Sequence, residues 1–384
     1  MADDRHYQRI ADFLARGQMI PFLGAGANLC DREAHKQQEW ELYSDFLPNG
    51  AELARYLADT AYYPHRDSAQ DLDLLRVSEY VVATDKEAAL YSGLREVFDV
   101  PSKPTSLHRL LARLAKALDD AGGPQLLVVT TNYDNLMEDA LDEKGLAYDV
   151  VWYEAKEGDP DRGRFKHRPW RGDPVVVEKP QDYLLEEHDN VVRDDSTGAD
   201  ASAGRSVAGS PGRLAGNPPK PSELPLKRPV VLKLHGCHDR KTPTGDSYVI
   251  TEDSYIDYLS FACSQETLIP IQLWDRLKNS NLLFLGYSLR DWNLRVILNR
   301  VWAQSELKHA SWAVQRKPKL AGDEEIEAAL AKIREIDLVY CELGTYVDDI
   351  GKRLTEALEA AAAARERKAA AAGPATAGVP GGHG

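Results

Sequence analysis

The chain has 384 residues, of which 43% are hydrophobic and 28% are charged, a composition typical of a globular protein with enough apolar side chains for a large core. The longest apolar runs, such as residues 282–285 and 230–234, are far shorter than the roughly 20 residues that cross a bilayer, so no membrane association is expected. The net charge of −14 disfavours direct binding to nucleic-acid backbones.

Two features of the sequence bear on the cellular compartment. Residues 1–9 are polar and charged and contain no apolar segment, so they do not resemble a secretory signal. The four cysteines, at positions 30, 237, 263 and 341, form no Cys-x-x-Cys pair, which argues against a disulfide framework and against a zinc ribbon. We therefore expect a cytoplasmic protein with reduced cysteines and no bound metal.

The first 150 residues predict two strand-turn-helix units separated by helices. Residues 7–15 have helical spacing of apolar side chains and lead into an apolar strand, residues 19–23, which ends at a glycine turn. From residue 50 to about 118, apolar positions recur at intervals of three and four, which predicts a helical subdomain. A second strand at residues 126–130 is followed by a helix that begins at residue 136.

Two segments have a composition that does not support a packed core. Gly, Pro, Ser, Asp and Arg dominate residues 155–229, which predicts a long, polar and partly disordered insertion. Residues 360–384 are rich in Ala and then in Gly, which is typical of a fraying helix followed by a disordered tail.

Between these segments the sequence returns to alternating strands and helices. The predicted strands are residues 230–234, 247–251, 282–285, 312–315 and 338–341, and the predicted helices are residues 253–260, 291–302 and 324–336. Parallel strands are joined by helical crossovers, so this order predicts an α/β fold with a Rossmann-like, mostly parallel sheet and helices on both faces. Residues 1–150 and 226–350 make up this domain.

Four strand-to-helix turns carry the residues that are suited to binding. Ligands of an open parallel sheet lie beyond the carboxyl ends of its strands, where these turns converge. In Gly24-Ala25-Gly26-Ala27-Asn28, small residues allow backbone N–H groups to approach a diphosphate, although a plain tight turn explains this partial glycine fingerprint equally well. In Gly286-Tyr287-Ser288-Leu289-Arg290-Asp291, a hydroxyl and a carboxylate are suited to sugar contacts, whereas Asp291 alone can cap the next helix.

The other two turns contain candidate catalytic side chains. Asn132 and Asp134 follow the strand at residues 126–130, where they can bond a ribose or a water, or cap the next helix. His235 follows the strand at residues 230–234, where it can act as a general base near neutral pH or be a hydrogen-bonded core histidine. The residues leave each alternative open, and the convergence of all four turns favours a functional site.

Together these turns resemble the sirtuin family, and specifically its bacterial sirtuin-like NADase branch, which is associated with antiphage defence. The resemblance covers residues 19 to about 345. Four segments carry it, because they are similar to the sirtuin Gly-Ala-Gly loop, Asn-x-Asp motif, catalytic His-Gly and Gly-Thr-Ser-Leu turn, in this order: Gly24-Ala25-Gly26, Asn132-Tyr133-Asp134, His235-Gly236 and Gly286-Tyr287-Ser288-Leu289. The chain departs from the family in having Asn28 where a serine is usual and in lacking both a Pro-Asp-Phe-Arg segment and a four-cysteine zinc module.

The resemblance implies that NAD is the substrate and that it is hydrolysed to nicotinamide and ADP-ribose, which would deplete NAD on infection. It implies catalytic roles for Asn132 and His235, and NAD contacts from Gly24, Ala25, Gly26, Asn28, Asp134, Gly286, Ser288 and Asp291. It further suggests a homo-oligomer and a partner such as a HerA-type DNA-translocating ATPase. The alternatives are a non-catalytic sensor of NAD or ADP-ribose within a defence complex and, less in keeping with the missing zinc module, an NAD-dependent protein deacylase.

Overall fold

The computed structural model describes residues 4–32, 40–68, 72–188, 224–264, 268–287, 310–318, 322–333 and 335–371. Its α-helices are α1 (Asp4–Ala15), α2 (Gly50–Thr60), α3 (Leu74–Asp85), α4 (Glu87–Phe98), α5 (Ser106–Asp120), α6 (Leu136–Asp142), α7 (Glu252–Ser264), α8 (Ile271–Lys278), α9 (Asp323–Ile333) and α10 (Leu343–Ala371). Its strands are β1 (Met19–Leu23), β2 (Leu127–Thr130), β3 (Asp149–Tyr153), β4 (Phe165–Arg168), β5 (Val175–Val176), β6 (Val230–Lys233), β7 (Gly236–Cys237), β8 (Ser247–Tyr248), β9 (Asn281–Leu285), β10 (Ser311–Gln315) and β11 (Ile336–Tyr340).

Nine of these strands form one sheet in the order β11-β10-β9-β1-β2-β6-β3-β4-β5. All pairs from β11 to β3 are parallel, and β4 and β5 extend the sheet as antiparallel strands. On one side of β1 the sheet continues with β2, β6 and β3, which precede β9 in the chain. On the other side it continues with β9, β10 and β11. This reversal makes the carboxyl ends of β1 and β9 a topological switch point, where an open α/β sheet has its ligand crevice.

Hydrophobic clusters cover both faces of the sheet, and adjacent residues of a strand point into different clusters. In β1, Leu23 packs in a cluster with side chains of α1, α5, α6 and α10, whereas its neighbour Phe22 packs in a cluster with side chains of α7 and α8. The central strands β1, β2, β6 and β9 are buried along their whole length, as strands covered on both faces are. The predicted Rossmann-like α/β fold is confirmed.

The helices between β1 and β2 pack in two different places. Side chains of α2, α3 and α4 form a third hydrophobic cluster together with Tyr248 and Ile250, which precede α7. Side chains of α5 instead lie in the cluster on the sheet with α1 and α10. The segment predicted as a helical subdomain, residues 50–118, thus contributes three helices beside the strand ends and one helix to the sheet.

The segment predicted as an insertion contains two strands that the sequence did not predict, β4 and β5. The strand β4 reads Phe-Lys-His-Arg, with alternating buried and partly exposed side chains, so it has no apolar run. Residues 189–223 of the insertion, the predicted helix 291–302 and residues 372–384 of the tail lie outside the described residues. Within the ranges described, no helix is both long enough and apolar enough to cross a bilayer.

The turns after β1 and β9 pack backbone against backbone. The Gly26 N–H donates to the Gly286 carbonyl at 2.8 Å, and the Gly24 N–H donates to the Leu285 carbonyl at 3.1 Å. A Cβ on Gly26 would lie 2.7 Å from the Gly286 oxygen, and Gly286 has a φ of +67°, where a Cβ would overlap the Ala27 nitrogen. The close contact between these two turns therefore requires the glycines, independently of any ligand.

Gly286→Ala is expected to lower the free energy of unfolding by about 2–5 kcal/mol, through backbone strain and overlap with the neighbouring turn. Gly145→Ala is the matched control, because Gly145 has a φ of +65° and a Cβ added there would have no described atom within 4 Å. Gly145→Ala should lose only the unfolding free energy that comes from the left-handed backbone conformation, about 1–2 kcal/mol. Urea denaturation of both variants measures the difference. Equal losses of unfolding free energy would contradict the prediction, because they would show that the turns accommodate a Cβ at position 286 without additional strain.

Candidate functional site

The turns after β1, β2, β6 and β9 surround one cavity of about 350 Å³, which we call the central cavity. Eight of the ten site residues predicted from the sequence line it: Gly24, Ala25, Gly26, Asn28, Asn132, Asp134, His235 and Gly286. The other two, Ser288 and Asp291, lie outside the described residues. Side chains near α2, α3 and α4 close the opposite wall, among them Asn49, Leu53, Leu74 and Phe98.

A second cavity of about 200 Å³ adjoins the first along the strand ends. Gly26, Gly286 and Tyr287 line both cavities, and the second extends to the ends of β10 and β11 at Gln315 and Cys341. The two cavities thus form one crevice across the switch point between β1 and β9. Their combined size falls in the range of small-molecule sites, roughly 300–1,000 Å³.

Asn132 links the turns after β1 and β2. Its backbone N–H donates to Thr130 Oγ1 at 2.9 Å, and its side-chain Nδ2 donates to the Gly24 carbonyl at 3.1 Å. The carboxamide nitrogen is thus used inside the protein, and Oδ1 is the atom of this side chain suited to accept a hydrogen bond in the cavity. The alternative role of Asn132, as a cap of the following helix, does not agree with these contacts.

Asp134 and Asn28 form a buried pair in the wall of the central cavity. Asn28 Nδ2 donates to Asp134 Oδ2 at 2.8 Å, and Asp134 Oδ1 accepts from the Leu136 N–H at 3.0 Å. Asp134 therefore satisfies the start of α6 and also faces the cavity. In the described part of the chain the buried Oδ1 of Asn28 has no hydrogen-bond partner. A buried acceptor of this kind costs about 1–3 kcal/mol unless a donor reaches it.

The turn that holds Asn132 and Asp134 rests on a buried lysine. Lys233, at the end of β6, is fully buried, and its Nζ donates to the Asp134 carbonyl at 2.7 Å and to Asn135 Oδ1 at 3.1 Å. It also pairs with Glu138 at 2.6 Å. Burial lowers the pKa of Lys233, but the neighbouring Cys237 and Glu138 outweigh it, and the pKa lies above its ordinary value. The sequence signal for this residue was a lysine within the apolar run Val-Val-Leu-Lys-Leu.

His235 is 2% exposed and lines the central cavity. Its Nδ1 lies 3.1 Å from the Tyr255 hydroxyl, and the rings of Tyr255 and Tyr258 meet the imidazole edge to face. Among the described residues, Nε2 has no hydrogen-bond partner. Burial lowers the pKa of His235 from 6.5 to about 3, so the imidazole is neutral near pH 7. Tyr255 lies 20 positions after His235, on α7, and no motif in the sequence pointed to it.

The second histidine of the same turn has a different environment. His238 Nδ1 lies 3.0 Å from the Tyr248 hydroxyl, and Nε2 lies 3.0 Å from Asp99 Oδ1. Asp246 belongs to the same group, because its Oδ1 lies 3.3 Å from His238 Nδ1 and its Oδ2 pairs with Arg95 at 2.7 Å. Nε2 of His238 thus contacts the residue that ends α4, and Nδ1 contacts β8, so both ring nitrogens are used within the protein. In the part of the chain that the structure describes, no three or more His, Cys, Asp or Glu side chains are arranged to hold a metal.

Comparison with known families gives one match. A sequence model of the SIR2-like domain matches residues 183–339, which include His235, Tyr255 and the turn after β9. The turns that hold Gly24 and Asn132 precede this segment. No curated protein matches the chain significantly. The match supports a relationship to the sirtuin-like superfamily, whose members use NAD, and it covers the half of the crevice that contains the candidate histidine.

Lys233→Met is expected to destabilise the fold by about 3–5 kcal/mol, because Glu138 would remain buried without its counter-charge. The double variant Lys233→Met/Glu138→Leu removes both charges and should recover at least half of this loss. Urea denaturation of wild type, both single variants and the double variant measures the coupling between the two residues. Strictly additive losses would contradict an energetic pair.

The pKa of His235 predicts a loss of stability in acid. Between pH 6.5 and about 3 the unfolded chain binds a proton at His235 and the folded chain does not, so stability falls as the pH is lowered. The slope from this residue approaches roughly 1.4 kcal/mol per pH unit. In His235→Gln this contribution is absent, so the stability of wild type relative to the variant should decrease from pH 7 to pH 4.5. A pH-independent difference in urea denaturation would show that His235 titrates normally.

Proposed function

We propose that this chain is an NAD glycohydrolase, which cleaves the nicotinamide-ribose bond of NAD to give nicotinamide and ADP-ribose. The observation that carries the proposal is that His235, Asn132 and Asp134 line one cavity at the switch point of a Rossmann-like sheet. The SIR2-like match at residues 183–339 supports the choice of NAD as the ligand. We assign the nicotinamide end to the central cavity and the adenosine end to the adjoining cavity.

The electrostatics of the central cavity suit this reaction. Nicotinamide in NAD carries a positive charge and leaves as a neutral molecule, so departure needs no general acid. The charge passes to the ribose, which becomes an oxocarbenium-like cation. The Asp134 carboxylate in the cavity wall is suited to stabilise this cation, and the depressed pKa of His235 keeps a competing positive charge out of the cavity.

A weakly basic histidine is sufficient for the second step, in which water attacks the ribose cation. As the new C–O bond forms, the attacking water becomes a strong acid, and Nε2 of His235 is the acceptor proposed for its proton. Asn132 Oδ1 is proposed to orient this water or a ribose hydroxyl, because Nδ2 is held by Gly24. Asn28, Gly24, Ala25, Gly26, Gly286, Ser288 and Asp291 remain proposed contacts to NAD.

The cellular role is a further part of the proposal. By its resemblance to the antiphage branch, we propose that the chain depletes NAD in the cytoplasm during infection and that a partner such as a HerA-type ATPase controls it. Self-association is also proposed. Light scattering after size exclusion tests it, and a monomer at micromolar concentration would contradict it.

A second candidate function is a non-catalytic sensor of NAD or ADP-ribose. One observation supports it: Asn28 Oδ1 and His235 Nε2 are buried polar atoms without a hydrogen-bond partner among the described residues, and a bound ligand can satisfy both without any reaction. A sensor would bind NAD or ADP-ribose in the same crevice and release no nicotinamide. Protein deacylation is the least favoured function because the zinc module of the deacylases is missing from the sequence.

Nicotinamide release from NAD by the purified protein tests the proposal, alone and with a HerA-type ATPase. His235→Ala and Asn132→Ala should each lower turnover by at least about 100-fold, since each removes a group that positions or deprotonates the nucleophile. His65→Ala and Asn279→Ala are matched controls at exposed positions and should keep wild-type turnover. Circular dichroism and melting temperature establish that each variant is folded.

The outcomes separate the two candidate functions. Wild-type rates in a folded His235→Ala or Asn132→Ala protein would contradict the assigned roles. Measurable binding of NAD or ADP-ribose without nicotinamide release, under every condition, would favour the sensor. Release only in the presence of the ATPase would identify a hydrolase that its partner activates.

A further inference from the structure

Tyr255 is the hydrogen-bond partner of the candidate catalytic histidine. Its hydroxyl lies 3.1 Å from His235 Nδ1, it is 8% exposed, and it lines the central cavity beside His235. The contact joins two parts of the chain that are 20 residues apart, the end of β6 and the first turn of α7. A buried contact of this kind fixes both the orientation and the protonation pattern of an imidazole.

The position of Tyr255 is set by hydrogen bonds at the start of α7. The Ser254 hydroxyl accepts from the N–H groups of Ile250 and Thr251, and the Ser254 N–H donates to Thr251 Oγ1 at 3.0 Å. This reciprocal arrangement holds the first turn of the helix and with it the Tyr255 side chain.

The segment before α7 is also tied to two of the four turns around the cavity. The Val249 N–H donates to the His235 carbonyl at 2.8 Å, and the Val249 carbonyl accepts from the Tyr133 hydroxyl at 2.6 Å. Tyr133 stands between Asn132 and Asp134 in the sequence. The segment that leads into α7, and with it Tyr255, is therefore hydrogen-bonded to the turn that carries His235 and to the turn that carries Asn132.

The hydrogen bond between Tyr255 and His235 determines what Nε2 can do. A neutral imidazole carries one proton, and a tyrosine hydroxyl can either donate to Nδ1 or accept its proton. If Tyr255 donates, the proton of the imidazole is on Nε2, which cannot then accept another. If Tyr255 accepts from Nδ1–H, Nε2 carries a lone pair, and this is the nitrogen that has no hydrogen-bond partner among the described residues.

We propose that Tyr255 is a positioning residue for His235: its hydroxyl accepts the Nδ1 proton and orients the ring, so that Nε2 offers a lone pair to the ligand in the central cavity. This inference rests on the proposed function, because only the hydrolase requires Nε2 to accept a proton. When Nε2 takes the proton of the attacking water, both nitrogens carry protons, and the Tyr255 oxygen still accepts from Nδ1–H. No atom of Tyr255 bonds to NAD in this assignment.

Tyr255→Phe and Tyr258→Phe form a matched pair for the test. Both residues are on α7, one turn apart, and both rings meet His235 edge to face, with ring centroids at 5.1 Å and 5.6 Å. The substitution removes one oxygen in each case and keeps the ring that packs on the histidine. Only the Tyr255 oxygen is hydrogen-bonded to Nδ1. A loss of packing would affect both variants, whereas a loss of positioning would affect Tyr255→Phe alone.

Turnover of NAD is the first measurement. Tyr255→Phe should lower kcat by roughly 10- to 100-fold, less than the loss of His235 itself, because the imidazole remains but turns more freely. KM should stay within about threefold of wild type, since the hydroxyl does not contact the substrate. Tyr258→Phe should keep kcat within about threefold of wild type, because the hydrogen bond to Nδ1 of His235 comes from Tyr255.

The tautomer of His235 is the second measurement and needs no turnover. In protein labelled with ¹⁵N-histidine, the His235 signals are those missing from His235→Ala. Wild type at pH 7 should show a protonated Nδ1 and an unprotonated Nε2, and Tyr255→Phe should move both shifts towards the average of two tautomers. Because the wild-type spectrum alone reports the tautomer, this measurement holds even if the Tyr255→Phe variant folds poorly.

Two results would overturn the inference: a protonated Nε2 in wild type, or a Tyr255→Phe protein whose kcat and tautomer match wild type. An active wild type with a protonated Nε2 would overturn the role of Tyr255 and leave the hydrolase standing. A wild type without turnover in any condition, with an unprotonated Nε2 whose shift moves in Tyr255→Phe, would overturn the hydrolase and support Tyr255 as the residue that sets the tautomer.

Discussion

The arrangement of the site depends on the hydrogen bonds and the ion pair of one buried ammonium group, that of Lys233. Lys233 lies at the end of the central strand β6, and its Nζ donates to the Asp134 carbonyl in the neighbouring turn. A fully buried charge is tolerated only when its protons are all directed at acceptors, and here Glu138 supplies the counter-charge while Asn135 and the turn supply the rest. Charge-assisted hydrogen bonds from Lys233 consequently hold the turn that carries Asn132 and Asp134.

This support acts on a cavity wall that contains three polar side chains, Asn28, Asn132 and Asp134. Asn28 Nδ2 donates to the Asp134 carboxylate, and Asn132 Nδ2 donates to the Gly24 carbonyl. The Oδ1 atom of each carboxamide therefore remains as a hydrogen-bond acceptor. The interlocked glycine turns hold Asn28 and Gly24 in place from the side of β9. The resulting wall offers acceptors and a carboxylate, and the proposed reaction, in which positive charge develops on a ribose, relies on these groups.

The sequence predicted the four central strands and missed three strands on one side of the sheet, β3, β4 and β5. Strand β3 is buried along its whole length and was missed although it contains a short apolar run. Strands β1, β2, β6 and β9 are covered on both faces, so their sequences are continuous apolar runs and their positions were predicted to within a residue or two. Strand β4, which lies between β3 and the edge strand β5, alternates buried with partly exposed residues in a Gly- and Pro-rich segment and contains no such run. Residues on the turns could be named because strand ends converge, whereas Tyr255 depends on the packing of α7, which periodicity does not specify.

The two histidines of the turn show why a sequence pattern alone could not assign their roles. His235 and His238 are three positions apart and both are buried, and the chain near them contains nothing that separates their chemistry. What separates them is the partners that folding brings from elsewhere: Asp99 and Tyr248 engage both nitrogens of His238, whereas Tyr255 engages only one nitrogen of His235. A histidine with both nitrogens committed serves the structure. A neutral histidine that lines a cavity and has one nitrogen without a partner among the described residues retains the capacity to accept a proton, and His235 is in this position.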